Sequence, residues 1–250
     1  MKPAKDNFSK QSEYYKAYRP IYPSALYDII LKSVAQTETC WDCATGNGQA
    51  AAALSKHFGQ VYATDLSPNQ LKQAPQISNI EYSICRAESS GFSDNMFDLI
   101  TVAQALHWFD TQAFFEEAQR VLKPDGIIAV WGYKLISLEN QALNELVQEF
   151  YHKITAPYWD PERKHIDEAY GTITFPFKQE RSPIYLSHKV KWTIEQMEGY
   201  FRSWSAVQHQ IRETGDNPVD ALLIRLKEIW PEGNTQEATF PIFLRVGKMG

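Results

Sequence analysis

Along the first half of the chain, short apolar runs of strand length alternate with longer segments of helical spacing. The runs at 39–42, 60–64, 80–85, 97–103 and 127–131 predict strands, and the segments 49–58, 67–74 and 111–122 predict helices. The fifth run is almost continuously apolar, as is typical of a strand covered on both faces. The alternation therefore predicts a mostly parallel sheet with helices on both sides.

The pattern changes after residue 131. An amphipathic helix is predicted over 138–155, and the four prolines Pro157, Pro161, Pro176 and Pro183 interrupt the chain that follows. A strand is predicted over 184–192, helices begin at 193 and at 217, and the last strand covers 239–246. We expect one domain with a core at 36–133, a helical cover from 1–35 and 134–236, and a final strand in 237–250.

Composition narrows the class of protein. Of the 250 residues, 44% are hydrophobic and 22% are charged, which indicates an ordinary soluble globular chain. The net charge of −5 gives no general attraction to nucleic acid or to an anionic membrane. The first residues lack an apolar signal core and the 3 cysteines are too few for a disulfide scaffold, so we expect a cytoplasmic protein.

The loop after the first predicted strand is the strongest candidate for ligand binding. Gly46 and Gly48 would let the backbone turn tightly and approach a ligand, and Asp65 at the end of the next strand could accept both hydroxyls of a ribose. Together with Ala51 these glycines satisfy the pattern of a dinucleotide site. Asp42 favours a different ligand, because its carboxylate would repel a pyrophosphate and attract an ammonium group.

Five segments extend this pattern in chain order: Asp42-Cys43-Ala44-Thr45-Gly46-Asn47-Gly48, then 65–71, 86–88, 97–103 and 120–126. The set resembles the class I S-adenosylmethionine-dependent methyltransferases with a methyltransferase type 11 domain, although Ala44 stands where that family has a glycine. The resemblance implies a three-layer α/β sandwich with a helical cover over the active-site edge. Its seven-stranded, mostly parallel, Rossmann-like sheet would have the last strand antiparallel.

The resemblance also implies where the cofactor S-adenosylmethionine binds. Asp42 and the loop backbone would hold its methionine end, Asp65 its ribose, and Leu66 its adenine ring. The adenine edge would meet residues 87 and 88, and the fourth strand would end beside the ligand. The implied cofactor-binding set is Asp42, Ala44, Gly46, Asn47, Gly48, Asp65, Leu66, Ala87, Glu88, Ala103 and Gln104.

Three further segments, 18–23, 104–109 and 199–205, resemble the subgroup that includes trans-aconitate methyltransferase-like proteins. This resemblance implies a small-molecule acceptor, with a carboxylate as one candidate. Aromatic rings near the start could close over the donor or simply pack on the body, and the arginines could bind a carboxylate or form surface ion pairs. The candidates for acceptor binding are Tyr14, Tyr18, Arg19, Trp108 and Arg202.

His107 is the candidate catalytic residue, because a histidine beyond the fourth strand could act as a base near neutral pH. The alternative to a catalytic role is that His107 forms a structural hydrogen bond. Cys40 and Cys43 form a Cys-x-x-Cys on a strand, where buried thiols are expected, and no metal site is predicted. The alternatives to a methyltransferase are an NAD(P)-dependent oxidoreductase and a non-catalytic module that binds S-adenosylmethionine.

Overall fold

A computed structural model describes residue 18 and residues 20–179 and 183–249. The strands in this part of the chain are β1 (Thr39–Cys43), β2 (Gln60–Asp65), β3 (Ile80–Ile84), β4 (Phe97–Ala103), β5 (Leu122–Tyr133), β6 (Ser137–Leu138), β7 (Lys178–Gln179), β8 (Ile184–Trp192) and β9 (Gln236–Lys248). They form a single sheet with the order β3-β2-β1-β4-β5-β9-β6, and β7 and β8 also pair with β9.

The first five strands run parallel, and β9 runs antiparallel to both β5 and β8. The predicted α/β sheet with an antiparallel last strand is therefore confirmed. The structure adds β6 and β7 to the seven strands expected. Each has only two residues and pairs with β9, so neither produced a periodic signal in the sequence.

Helices cover the two faces of the sheet. They are α1 (Ser24–Leu31), α2 (Gln49–Leu54), α3 (Pro68–Leu71), α4 (Thr111–Val121), α5 (Gln141–Glu149), α6 (Arg163–Asp167), α7 (Ile194–Arg202), α8 (Ser205–Thr214) and α9 (Pro218–Ile229). Two separate clusters of buried apolar side chains lie on the two faces. Among the described residues, no helix is both long and apolar enough to cross a membrane.

The predicted helix at 138–155 is shorter and less regular than expected. It consists of α5 followed by a π-helical turn, Phe150–Ile154. The Thr155 hydroxyl donates to the carbonyl of Phe150 and ends the turn. Helix α8 was missed within the predicted cover, although Gly215 at its C-cap, with φ +82°, is a recognisable stop signal.

Pro241 lies in the interior strand β9 and not at a sheet edge. Its carbonyl accepts a hydrogen bond from the Lys134 amide, between the part of β9 that pairs with β5 and the part that pairs with β6. Three residues, 134–136, face only two residues of β9 here. An irregularity on the neighbouring strand therefore accommodates the missing N–H of this proline.

Candidate functional site

The loop between β1 and α2 adopts left-handed backbone conformations at three positions. The φ angles are +56° at Ala44, +58° at Gly46 and +79° at Gly48. A Cβ on Gly48 would lie 2.8 Å from the Tyr82 hydroxyl oxygen, whereas a Cβ on Gly46 would meet nothing within 4 Å. The loop therefore needs glycine at 48 for both conformation and space, and it leaves open space above Gly46.

Asp42 is buried beneath this loop at the end of β1. Its two carboxylate oxygens accept hydrogen bonds from the hydroxyls of Thr45 and Thr101, and the Ala51 backbone amide also stabilises its charge. Burial outweighs these bonds and raises the pKa of Asp42 to about 6. The structure thus places a carboxylate whose pKa is raised well above the usual value for an aspartate directly under the loop.

Asp65 connects the ends of β1 and β2. One carboxylate oxygen accepts from the Gly46 amide at 2.9 Å and the other accepts from the Ser67 amide at 2.8 Å. A carboxylate has about four lone-pair directions, so a side chain of this kind can accept more than these two bonds. Asp65 can therefore hold the loop in place and still accept hydroxyl groups from a ligand.

The predicted adenine-binding residues lie at the same edge of the sheet. Leu66 is 43% exposed, and Ile84, which stands opposite Asp65 in register, is 59% exposed. Ala87 is buried. Glu88 accepts a hydrogen bond from the Asp110 amide and forms a salt bridge of 3.3 Å with Arg86. This edge presents an apolar surface with a fixed acidic group beside it.

Gln104 follows Ala103 at the end of β4 and has a left-handed backbone, with φ +56°. Its side-chain oxygen accepts from the Tyr133 amide at 2.8 Å, and its side-chain nitrogen donates to the Tyr133 carbonyl at 3.3 Å. The side chain thereby continues the pairing of β4 with β5 beyond the end of the backbone ladder. Through these two bonds to β5, Gln104 helps to define the shape of this edge of the sheet.

The space for the Gln104 amide depends on Gly132. A Cβ at 132 would lie 2.6 Å from the Gln104 Oε1 and 2.6 Å from the Phe243 ring. We expect Gly132→Ala to lower the free energy of unfolding by about 1–3 kcal/mol, because both neighbours must move. Urea unfolding measures the loss. Gly233→Ala, at an open position with a left-handed backbone, is the comparison, and an unchanged midpoint for Gly132→Ala would contradict the packing argument.

His107 lies in the 3-10 turn Leu106–Trp108, directly after β4. The residue is only 6% exposed, and its Nδ1 is 3.1 Å from the hydroxyl oxygen of Tyr170. The Trp108 ring packs beside it, with centroids 4.5 Å apart. A groove of about 850 Å³ opens next to His107 and is lined also by Phe109, His165 and Thr172.

Among the predicted acceptor-binding residues, Tyr14 and Arg19 lie outside the described part of the chain. Tyr18 packs its ring against Gly199 of α7, and Tyr22 packs edge-on against Trp131, with centroids 5.5 Å apart. The structure therefore brings together two of the segments that the subgroup resemblance had singled out. These contacts border a cavity of about 380 Å³, lined by Tyr18, Tyr22, His188, Val190, Trp192 and Gln196 among others.

The contact between Tyr18 and Gly199 gives a second packing prediction. A Cβ at 199 would lie 2.4 Å from the Tyr18 ring. We expect Gly199→Ala to lower the free energy of unfolding by about 1–3 kcal/mol, since the ring must leave α7. The double variant with Tyr18→Ala is the control, because removing the ring should cancel most of that loss in a double-mutant cycle. Strictly additive losses would contradict the contact.

Arg202 has two carboxylate partners in the structure. Its guanidinium donates to Glu198 at 2.8 Å and to Asp220 at 2.6 Å, and thereby links α7 to α9. This is the ion-pair alternative considered from the sequence. Thr45 and Thr101, which hold Asp42, and Tyr170, which contacts His107, were not among the predicted site residues.

The loop has unsatisfied hydrogen-bonding capacity that fits a ligand of the implied kind. Asn47 is 5% exposed, and its side-chain nitrogen has no acceptor among the described residues. An amide donor, open space above Gly46 and the carboxylate of Asp65 together suit a nucleoside that carries an amino-acid group. By contrast, Cys40 and Cys43 are buried free thiols on β1, as expected from their strand position.

Comparison with known proteins agrees with this geometry. Residues 41–130 match the family described as "Methyltransferase domain". A Dictyostelium discoideum protein named as a methyltransferase is 33% identical over 97% of this chain and 95% of its own length. Aspergillus candidus methyltransferase cfoB is 30% identical, over 75% of this chain and 66% of that protein.

A solved structure gives the same result at the level of the fold. A protein from Anaeromyxobacter dehalogenans, described as a type II methyltransferase, superposes with a TM-score of 0.84 at 32% identity. The superposition covers 93% of this chain and 99% of that protein. The likeness therefore includes the helical cover as well as the sheet.

Proposed function

Because the chain belongs to the class I S-adenosylmethionine-dependent methyltransferases, we propose that it methylates a small molecule and that the acceptor group is a carboxylate. The observation that supports a small acceptor is the cavity of about 380 Å³ beside Tyr18 and Tyr22. Its volume is in the range of small-molecule sites. The chain is an enzyme whose cofactor is S-adenosylmethionine.

The cavity lies at the edge where methyl transfer would take place. Strands β5 and β8 both run antiparallel to β9, so their carboxyl ends lie on the same side of the sheet. Tyr22 packs against Trp131 near the end of β5, and Trp192 ends β8. In open parallel sheets this edge is where ligands bind.

We assign the cofactor-binding roles from the contacts at the loop. Asp42 would attract the ammonium group through its buried negative charge, and the backbone from Gly46 to Gly48 would line the amino-acid end. The Asn47 amide would donate to a carboxylate or carbonyl oxygen of the ligand, which its lack of an acceptor among the described residues supports. Asp65 would accept the ribose hydroxyls while retaining its bonds to the Gly46 and Ser67 amides.

The adenine would lie against Leu66 and Ile84, whose exposed side chains form an apolar surface at the ends of β2 and β3. Ala87 and Glu88 would meet its edge. Glu88 is already held by the Asp110 amide and by Arg86, so its carboxylate has a defined orientation. A fixed acceptor beside an apolar surface suits a ring that carries an exocyclic amine.

When bound, S-adenosylmethionine supplies a methyl group on a positively charged sulfur, which is already activated for displacement. The protein's residues therefore need to align the acceptor and to exclude water. The rings of Tyr18, Tyr22 and Trp192 provide an apolar wall for that purpose. A carboxylate acceptor is itself the nucleophile, so no side chain has to remove a proton.

A labelling experiment tests the acceptor class. The enzyme is incubated with S-adenosylmethionine carrying a radioactive methyl group and with separate panels of carboxylic acids, amines and phenols. A methyl ester releases its label as volatile methanol in mild base, whereas N-, C- and ether-linked methyl groups do not. We expect base-volatile label from the acid panel, and stable label from amines or phenols alone would overturn the carboxylate proposal.

A further inference from the structure

Tyr170 is fully buried in a segment distant from the cofactor loop. It lies between the 3-10 turn that carries His107 and strand β9, where its ring packs edge-on against Phe243 with centroids 5.0 Å apart. Its hydroxyl reaches His107 across 63 positions of sequence. This contact therefore links the 3-10 turn that follows β4 to a distant part of the chain.

The backbone around Tyr170 is strained and is held in place by other groups. Ala169 and Tyr170 are consecutive non-glycine residues with left-handed φ angles of +53° and +57°. Such conformations persist when the surroundings compensate for their cost. Here Arg245 of β9, only 8% exposed, donates to the Tyr170 carbonyl at 2.6 Å and to the Ile173 carbonyl at 2.9 Å.

The hydroxyl of Tyr170 has a defined set of partners. The backbone N–H groups of Leu106 and His107, at the start of the 3-10 turn, interact with its oxygen. Such N–H groups have no partner within a helical turn and need one from elsewhere. The phenol has one hydrogen to donate, and the His107 Nδ1, which is more basic than a phenol oxygen and hence the better acceptor, lies 3.1 Å away.

We propose that Tyr170 is a positioning residue, which donates its hydroxyl hydrogen to His107 Nδ1 and holds the imidazole as the neutral tautomer with its proton on Nε2. Burial raises the pKa of Tyr170, so the phenol keeps this hydrogen throughout the range in which proteins are stable. In this tautomer the outer nitrogen of His107 is a hydrogen-bond donor. His107 then acts as a hydrogen-bond donor toward the groove of about 850 Å³ that it lines, and not as a base.

The role of this tautomer in catalysis rests on the proposed methylation, but the experiment that detects the tautomer does not. The full-length protein is labelled with ¹⁵N-histidine, and long-range proton–nitrogen correlation spectra distinguish the two neutral tautomers from the imidazolium. The signals missing from His107→Gln assign residue 107. We expect His107 to show a protonated Nε2 and an unprotonated Nδ1 at neutral pH, and the reverse tautomer or an imidazolium would overturn the proposal.

Tyr170→Phe keeps the ring and removes only the hydroxyl. Losing one hydrogen bond should lower the ratio of the Nε2–H to the Nδ1–H tautomer about fivefold. Thr172→Val is the matched control, because the Thr172 hydroxyl lies at the same distance, 3.1 Å, from the Nδ1 of His165. An unchanged His107 ratio in Tyr170→Phe, or an equal change in Thr172→Val, would overturn the proposal. If Tyr170→Phe does not fold, the wild-type spectrum still decides.

A kinetic comparison separates the donor role from a base role once an acceptor is known. Glutamine can donate a hydrogen bond from its side-chain nitrogen, whereas alanine cannot. We therefore expect His107→Gln to retain roughly tenfold more activity than His107→Ala. Equal, near-complete losses in both variants would instead indicate a base. If no methyl acceptor is found, that result would count against the proposed function, but the tautomer result would be unaffected.

Discussion

Replacing Asp65 with alanine should weaken binding of S-adenosylhomocysteine, the demethylated form of the cofactor, by about 100-fold or more. Hydrogen bonds to a charged group contribute about 1.5–3 kcal/mol each, and about 2.7 kcal/mol corresponds to 100-fold in affinity. The variant would lose the proposed bonds to the ribose. It would also leave the amides of Gly46 and Ser67 without the acceptor that orders the loop.

Isothermal titration calorimetry measures this loss, and thermal unfolding with and without the ligand confirms it. A ligand at about 100 times its dissociation constant adds about 2.7 kcal/mol to the wild-type stability. Asp94→Ala is the control, since Asp94 is an exposed acid that pairs with Arg120 on α4. An Asp65→Ala affinity within threefold of wild type, in a folded variant, would refute the assigned role.

The affinity for S-adenosylhomocysteine should also rise with pH between about 4 and 6. The pKa of the buried Asp42 is raised to about 6 in the folded protein, whereas an aspartate in an unfolded chain titrates near 3.9. The folded protein therefore binds this proton more tightly than the unfolded chain does. Asp42 consequently lowers stability as pH rises from about 4 to 6, by about 3 kcal/mol in total.

The ligand should oppose that loss, because its ammonium group stabilises the ionised carboxylate. Binding below pH 6 must release the Asp42 proton, so affinity should rise by up to about tenfold per pH unit and level off above pH 6. The ligand's amino group itself remains charged throughout this interval. Calorimetry in two buffers of different ionisation enthalpy counts the protons released.

Asp42→Asn is the matched variant, because it keeps the shape and removes the charge. We expect it to bind more weakly above pH 6 and to lose most of the pH dependence. One of the Thr45 and Thr101 hydroxyls can still donate to the remaining side-chain oxygen, and the other can accept from the new amide nitrogen, so the loop should keep its form. If the variant shows the wild-type slope, another group is responsible and Asp42 does not face the ammonium.

The residues that follow β1 and β4 share an unusual backbone conformation. Ala44 and Gln104 follow these two adjacent strands, and both have left-handed backbones without being glycine. A left-handed conformation costs roughly 1–2 kcal/mol for such residues. Hydrogen bonds such as the two between Gln104 and Tyr133 offset this cost. Two of the five non-glycine residues with a left-handed backbone in the described part of the chain therefore lie where the proposed ligands approach.

The sheet and the cofactor loop could be predicted from local sequence patterns. Apolar runs such as 97–103 reproduce strand bounds because strand periodicity depends on neighbours in the chain. Asp42 and Asp65 could be placed together from their positions in the sequence, since parallel strands end at one edge and the loops between them are short. The capping of α7 by Thr193 was likewise predictable, because its partner Gln196 is three residues away.

Tertiary packing determines how individual side chains are used. Nothing near Tyr170 in the sequence indicates that its hydroxyl meets His107, and Arg202 is equally suited to an acceptor or to the carboxylates it contacts. The same holds for the ring of Tyr18 on Gly199. Each of these contacts joins surfaces brought together by folding. Periodicity predicts which face of an element is buried, but the partner depends on which other element packs against that face.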